Sequence, residues 1–340
     1  MTDASGRPDM PQTVLVTAPT LAPAGVRRLE QAGCRILFLH TSRDAVEVDR
    51  IMATEPIDAV ISRTVDLTAR AIDACSTLKV VSKHGVGVTN IDVAACTRRA
   101  IPVYVTPGAN AQSVAELTIG LMFAAARRIA WLDREMREGR WSRVQDGLEL
   151  HGRTIGLVGM GQVGQRVASV CLAVGMKVKA FDPGLAGPGT VAGVELLTSL
   201  EDLLAQSDVV SLHVPLTAAT RSMIGARQLS SMPRGSILVN TARGEVVDEA
   251  ALVAALGSGH LAAAGLDTMA EEPLPSGSPL AALPTVVLTP HVGGSTSAAL
   301  ANMAVGAADN VLGFLEGRSV DPTACVNPSV LAHASGAHRR

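Results

Sequence analysis

Short apolar runs alternate with helical patterns along most of the chain, which restricts the fold to parallel α/β sheets. Thr13–Ala18, Arg35–Leu39, Asp58–Ser62, Lys79–Ser82 and Pro102–Val105 are predicted strands. The stretches between them, such as Ala22–Gly33 and Leu67–Cys75, are predicted helices. A second series follows: strand Thr154–Gly159, helix Gln162–Ala173, strand Lys177–Asp182 and helix Ser199–Gln206. It continues with strands Asp208–Val214 and Ser236–Asn240, helix Asp248–Gly257, strands Ala262–Asp267 and Thr285–Leu288, and a long helix Ser295–Glu316. Between the two series the pattern breaks. Pro107-Gly108 makes a turn and Ser113-Val114-Ala115-Glu116 fits a capping box. One helix is predicted from there to about Glu138, with Gly139 as its stop signal.

The chain has 340 residues, enough for two domains. A net charge of -2 gives no basic excess for nucleic acid or an anionic membrane. Aromatics at 2% argue against stacking platforms for single-stranded nucleic acid or glycans. The cysteines, Cys34, Cys75, Cys96, Cys171 and Cys325, are odd in number and scattered. That spacing suggests neither a disulfide framework nor a metal site, and fits free thiols in a reducing cytoplasm. Met1–Gln12 lacks the apolar core of a signal peptide. The apolar stretch Leu117–Ala126 is too short to span a bilayer, and the tail His333–Arg340 is expected to be disordered.

The second series opens on G-x-G-x-x-G at Gly159, Gly161 and Gly164, between an apolar strand and a helix. Asp182 stands 18 residues after Gly164, at the end of the next strand. In this context the first glycine permits the turn, the second admits a pyrophosphate and the third allows close packing. The helix N-terminus offers free N–H donors to the phosphates. Asp182 can accept from ribose hydroxyls and would repel a 2′-phosphate, which favours NAD over NADP.

Three further residues follow strand ends, the edge where open α/β sheets bind ligands. Arg243, in Asn240-Thr241-Ala242-Arg243-Gly244, can hold a carboxylate through two parallel hydrogen bonds. His291, in Pro290-His291-Val292-Gly293-Gly294, can give or take a carbinol proton. Glu272, beside Glu271, can fix an imidazole tautomer and stabilise the imidazolium; spacing alone does not choose between the two. Each residue alone could be an ordinary salt bridge, cap or loop charge. Beside a nucleotide turn, together they supply what hydride transfer to a 2-keto acid needs.

These motifs resemble the D-isomer-specific 2-hydroxyacid dehydrogenases, most closely the phosphoglycerate dehydrogenase-like branch. The likeness also runs through Lys83–Asp92, Pro107–Asn110, Ser113–Glu116, His213–Thr217 and Gly265–Pro273. Thr89 and Thr268-Met269 depart from the usual Asp and Val-Phe or Val-Tyr. The resemblance implies Arg243 for the substrate carboxylate, Glu272 (before Pro273) as the acidic partner and His291 as acid/base. It implies cofactor contacts at Gly159, Gly161, Gln162, Val163, Gly164, Asp182, His213, Pro215, Thr241, Ala242, Asp267 and Gly294. It implies substrate contacts at Arg63, Val86 and Gly87. The expected fold is two Rossmann-like domains. An NAD-binding domain, 109–294, is inserted into a discontinuous flavodoxin-like substrate domain, 1–108 plus 295–340. A homodimer paired through the cofactor domain is implied, and no regulatory domain is expected after the last helix.

The expected activity is reversible hydride transfer between NAD(H) and a small 2-hydroxy or 2-keto acid, such as 3-phosphoglycerate or hydroxypyruvate. Arg63, Lys83 and His84 would suit a phosphorylated or doubly acidic substrate, or be solvated surface charges. The rivals are an NAD-sensing corepressor-like binding protein on the same scaffold and a formate- or phosphite-type dehydrogenase. The complete Arg–Glu–His set disfavours the first, and the substrate loops the second.

Overall fold

A computed structural model describes residues 11–41, 44–185 and 192–331. Most of the polar N-terminal run and the tail His333–Arg340 lie outside them. The chain divides into two compact units, Met1–Asn110 with Thr296–Arg340, and Ala111–Ser295. All five cysteines are free thiols.

In chain order the first unit runs β1 (Thr13–Val16), α1 (Pro23–Gln31), β2 (Arg35–Phe38), α2 (Ala45–Thr54), β3 (Ala59–Ser62), α3 (Ala69–Ala74), β4 (Val80–Lys83), α4 (Val93–Arg98) and β5 (Val103–Tyr104). The second unit holds α5 (Ala111–Ala126), α6 (Ile129–Arg137), β6 (Thr154–Val158), α7 (Gln162–Ala173), β7 (Lys177–Phe181), β8 (Val194–Leu196), α8 (Leu200–Ala205) and β9 (Val209–Leu212). It continues through α9 (Ala226–Ser231), β10 (Ser236–Asn240), α10 (Glu249–Gly257), β11 (Leu261–Leu266), α11 (Pro279–Ala282) and β12 (Val286–Leu288). The chain then returns to the first unit as α12 (Ser297–Leu315).

The first sheet is ordered β2-β1-β3-β4-β5 with parallel pairings throughout, the flavodoxin-like arrangement. Both faces are buried, so its strands read as continuous apolar runs. Leu15, Val60 and Val81 point to the core shared with α2 and α3. Val14, Val16, Ala59, Ile61 and Val80 point to the other, where α12 packs. By length and composition alone α12 could cross a membrane, which the sequence reading did not anticipate. Its Ala304, Ala307, Ala308 and Val311 are nonetheless fully buried in this core. At Gly25 on α1 a β-carbon would fall 2.7 Å from that of Ala304, so the two helices touch backbone to side chain.

The second sheet is ordered β12-β11-β10-β9-β6-β7-β8, all parallel. Strand order reverses between β6 and β9, the crevice where such sheets bind dinucleotides. Ile155, Leu157, Val209, Ile237 and Val239 face one helical layer, and Val158, Val210, Leu212 and Leu238 the other.

Two sequence expectations are corrected. The single helix to Glu138 is two helices, because Arg128 takes a left-handed φ of 54° and Leu148 N–H bonds the freed Ala126 carbonyl at 2.8 Å. The capping box does not form. The helix already begins at Ala111, and the Ser113 hydroxyl donates to Gly293 O at 2.5 Å instead. The edge strand β8 and the short α9 carried no periodic signal long enough to read.

Candidate active site

The glycine turn connects β6 to α7. Gly159 has φ 98°, and a β-carbon there would lie 2.7 Å from the His213 carbonyl oxygen. One at Gly164 would lie 2.2 Å from Gly159 O, so the helix rests on the turn itself. Gly161 faces open space. As N-cap of α7 it has no side-chain cap, so the first helical N–H groups, from Gln162 and Val163 onward, are left to a ligand. These features fit a dinucleotide pyrophosphate.

Asp182 is partly buried. Its Oδ2 accepts Met160 N–H at 2.8 Å and its Oδ1 accepts Gly184 N–H at 2.9 Å. The carboxylate therefore braces the glycine turn, while each oxygen keeps a lone pair for a ribose hydroxyl. His213 directly follows β9, its N–H donating to Val158 O and its Nε2 lying 2.9 Å from Ser211 Oγ. Desolvation pushes its imidazole down to about 4, so the ring is neutral near pH 7. Pro215 is exposed two residues further on.

The loop after β10 is held by its own strand. Asn240 accepts Ala242 N–H at 3.0 Å through Oδ1 and donates to Arg243 O at 2.9 Å through Nδ2. The Thr241 hydroxyl pairs with Thr118 Oγ1 of α5 at 2.8 Å. Arg243 Nη1 donates to Ala242 O at 2.6 Å, leaving most of the guanidinium fork for a ligand.

His291 Nδ1 and Glu272 Oε2 are 2.8 Å apart, and Glu272 Oε1 accepts Met269 N–H at 3.1 Å. Burial alone would raise the Glu272 pKa. The bond and charge of His291, then the Met269 N–H and Arg243, outweigh it, and the carboxyl sits below its usual range. The sequence left Glu271 open beside Glu272; the geometry joins Glu272 to the imidazole.

Asp267 has a structural task that the sequence did not show. Expected at the cofactor, it is 1% exposed and staples the His291 loop. Its Oδ1 accepts the Thr289 hydroxyl at 2.6 Å and Val292 N–H at 2.9 Å, and its Oδ2 accepts Gly293 N–H at 2.8 Å. At most one lone pair remains for a ligand. The N–H of Gly294 donates to no protein acceptor among the described residues.

In the first unit, Gly85 is clamped by Thr106, which accepts Gly85 N–H at 3.0 Å and donates to Gly85 O. The N–H groups of Val86 and Gly87 just beyond meet no protein acceptor among the described residues, and Val86 is 47% exposed. Arg63 follows β3 and donates to Thr20 O at 3.0 Å. Lys83 and His84 are neither surface charges nor open cations. Lys83 is buried and donates to Asn90 Oδ1 and to Arg63 O. His84 is buried against Leu300 O at 3.3 Å, and desolvation, then Arg63, pushes it down to about 4. No cluster of metal-ligating side chains occurs among the described residues.

A doubly wound sheet with an open glycine turn at its switch point, beside an Arg, Glu and His on neighbouring loops, defines a dinucleotide-dependent oxidoreductase scaffold. A family model described as the D-isomer specific 2-hydroxyacid dehydrogenase NAD binding domain matches residues 119–293. The chain belongs to that family, and NAD is its cofactor. It is similar to a hydroxypyruvate reductase of Thermotoga maritima, at 43% identity over 77% of this chain and 86% of the relative. It is 42% identical to a D-3-phosphoglycerate dehydrogenase of Archaeoglobus fulgidus over 77% of this chain, and spans only 50% of that relative. Among solved structures, a protein from Thermus thermophilus matches at TM-score 0.82 and 40% identity, covering 93% of this chain and all of that one.

Proposed function

We propose that the protein is an NAD-dependent 2-hydroxyacid dehydrogenase that reduces a small 2-keto acid, and runs in reverse on the 2-hydroxy acid. The 2.8 Å bond between Glu272 and His291 Nδ1 carries this reading. With Nδ1 so held, Nε2 is the ring nitrogen left to act on substrate. NADH, when bound, supplies the hydride. Protonated His291 donates from Nε2 to the C2 oxygen, and in oxidation the neutral ring takes that proton back. Glu272, kept ionised by its neighbours, stabilises the imidazolium. Arg243 holds the substrate carboxylate. The N–H groups of Val86 and Gly87, and Arg63, are the proposed substrate contacts of the first unit. Gly161, Gln162, Val163 and the Asp182 carboxylate are the proposed holders of the dinucleotide.

Engagement of Lys83 and His84 within the fold favours an unphosphorylated acid, because it leaves Arg63 as the available cation of the three. Ile129, Met136, Trp141 and Val144 are exposed on and after α6, which supports a homodimer through the second unit. Free thiols fit a cytoplasmic protein. The test follows NADH oxidation with hydroxypyruvate, glyoxylate and 3-phosphohydroxypyruvate. Turnover is expected, with higher kcat/KM on the unphosphorylated acids. No consumption with any 2-keto acid would overturn the reading.

A further inference from the structure

We propose that Ser113 is a positioning residue for His291, acting through the carbonyl of Gly293; this rests on His291 being the acid/base. His291 has a φ of 55°, a left-handed conformation that a residue with a β-carbon keeps only when its surroundings enforce it. The enforcing bonds come from two sides. Asp267 takes the donors of the loop: its main-chain oxygen accepts His291 N–H at 2.8 Å, and its carboxylate accepts Val292 and Gly293 N–H. The acceptor at Gly293 goes to a different element. Ser113, in the first turn of α5 and 180 residues away in sequence, donates its hydroxyl to Gly293 O at 2.5 Å in a buried bond.

The next residue of α5 closes the same contact. A β-carbon at Gly293 would lie 3.0 Å from Asp267 Oδ2 and 3.4 Å from Val114 Cγ2. Gly293 is thus pinched between the Asp267 carboxylate and the first turn of α5, two residues from the imidazole. Removing the hydroxyl leaves a buried carbonyl without a partner, and the loop can recover one only by shifting toward water. Such a shift loosens the Nδ1 bond to Glu272 and misplaces Nε2, to which proton transfer is sensitive.

The experiment is a double-mutant cycle of Ser113→Ala with His291→Gln. Alongside it, Ser113→Thr retains a hydroxyl and Ser113→Cys is a weak donor of similar size. Ser113→Ala is expected to lower kcat by about tenfold to a hundredfold while leaving the NADH dissociation constant unchanged. Ser113→Thr should recover most of the loss, and Ser113→Cys should fall between. In the His291→Gln background the same Ser113→Ala change should cost nothing further. If Ser113→Ala does not fold, the cycle is run with Ser113→Cys. An equal loss in both backgrounds, or a lowered Tm with kcat intact, overturns the proposal alone. Full turnover in His291→Gln by itself overturns the acid/base reading, and this proposal with it.

Discussion

Gly244 lies directly against the main chain of Met269: a β-carbon on Gly244 would fall 1.9 Å from the Met269 carbonyl carbon and 2.4 Å from Ala270 N. The loop after Arg243 is therefore stacked on the loop that carries Glu272, and Met269 N–H in turn holds the Glu272 carboxylate. Backbone cannot yield as a flexible side chain would. Gly244→Ala should destabilise the protein by at least about 2 kcal/mol. It should also cut kcat/KM by about a hundredfold or more, since the two loops would part. Urea unfolding and steady-state kinetics check this; a variant with native stability and rate would show that the loops move independently.

Asp182 has a structural task at the glycine turn as well as its proposed task at the ribose. Its Oδ2 bond to Met160 N–H ties the tip of β7 to the turn. Asp182→Ala should therefore weaken NADH binding for two reasons, and remove the charge that repels a 2′-phosphate. The ratio of kcat/KM for NADH over NADPH should fall by about tenfold or more. An unchanged ratio would mean that discrimination between the cofactors lies elsewhere.

Two histidines, the buried His84 and the partly buried His213, make stability depend on pH. His84 is pushed from 6.5 down to about 4, and His213 likewise. Between those values the unfolded chain binds the proton and the folded chain does not, so acid favours unfolding. Stability should be full above pH 6.5 and fall as the pH drops toward 4, by up to about 3 kcal/mol for His84. His84→Gln keeps a donor for Leu300 O and should flatten this fall. Urea midpoints at pH 7.5, 6 and 5 measure it; identical slopes for both proteins would refute the role of His84.

Much of this was legible in the sequence because it is local. The Gly159–Gly164 turn, helix Gln162–Ala173 and strand Ser236–Asn240 each follow from residues adjacent in the chain. Arg243 and His291 were legible because strand ends announce a binding edge. What escaped was set by partners far away. Ser113 reads as a cap until Gly293 is folded against it. Lys83 reads as an open cation until Asn90 and the Arg63 carbonyl surround it. Asp267 reads as a ligand contact, and its bonds to three donors of the His291 loop, 22 to 26 residues on, do not show in the sequence. The break at Arg128 depends on Leu148, twenty residues on, supplying the bond that ends α5.

The central claim is that His291, held by Glu272, moves the substrate proton. Single-turnover and steady-state rates of His291→Gln, with NADH binding followed by fluorescence titration, test it most directly. The account predicts a loss of turnover of about a hundredfold to ten-thousandfold with the NADH dissociation constant unchanged. Turnover within a few-fold of the native rate would contradict it.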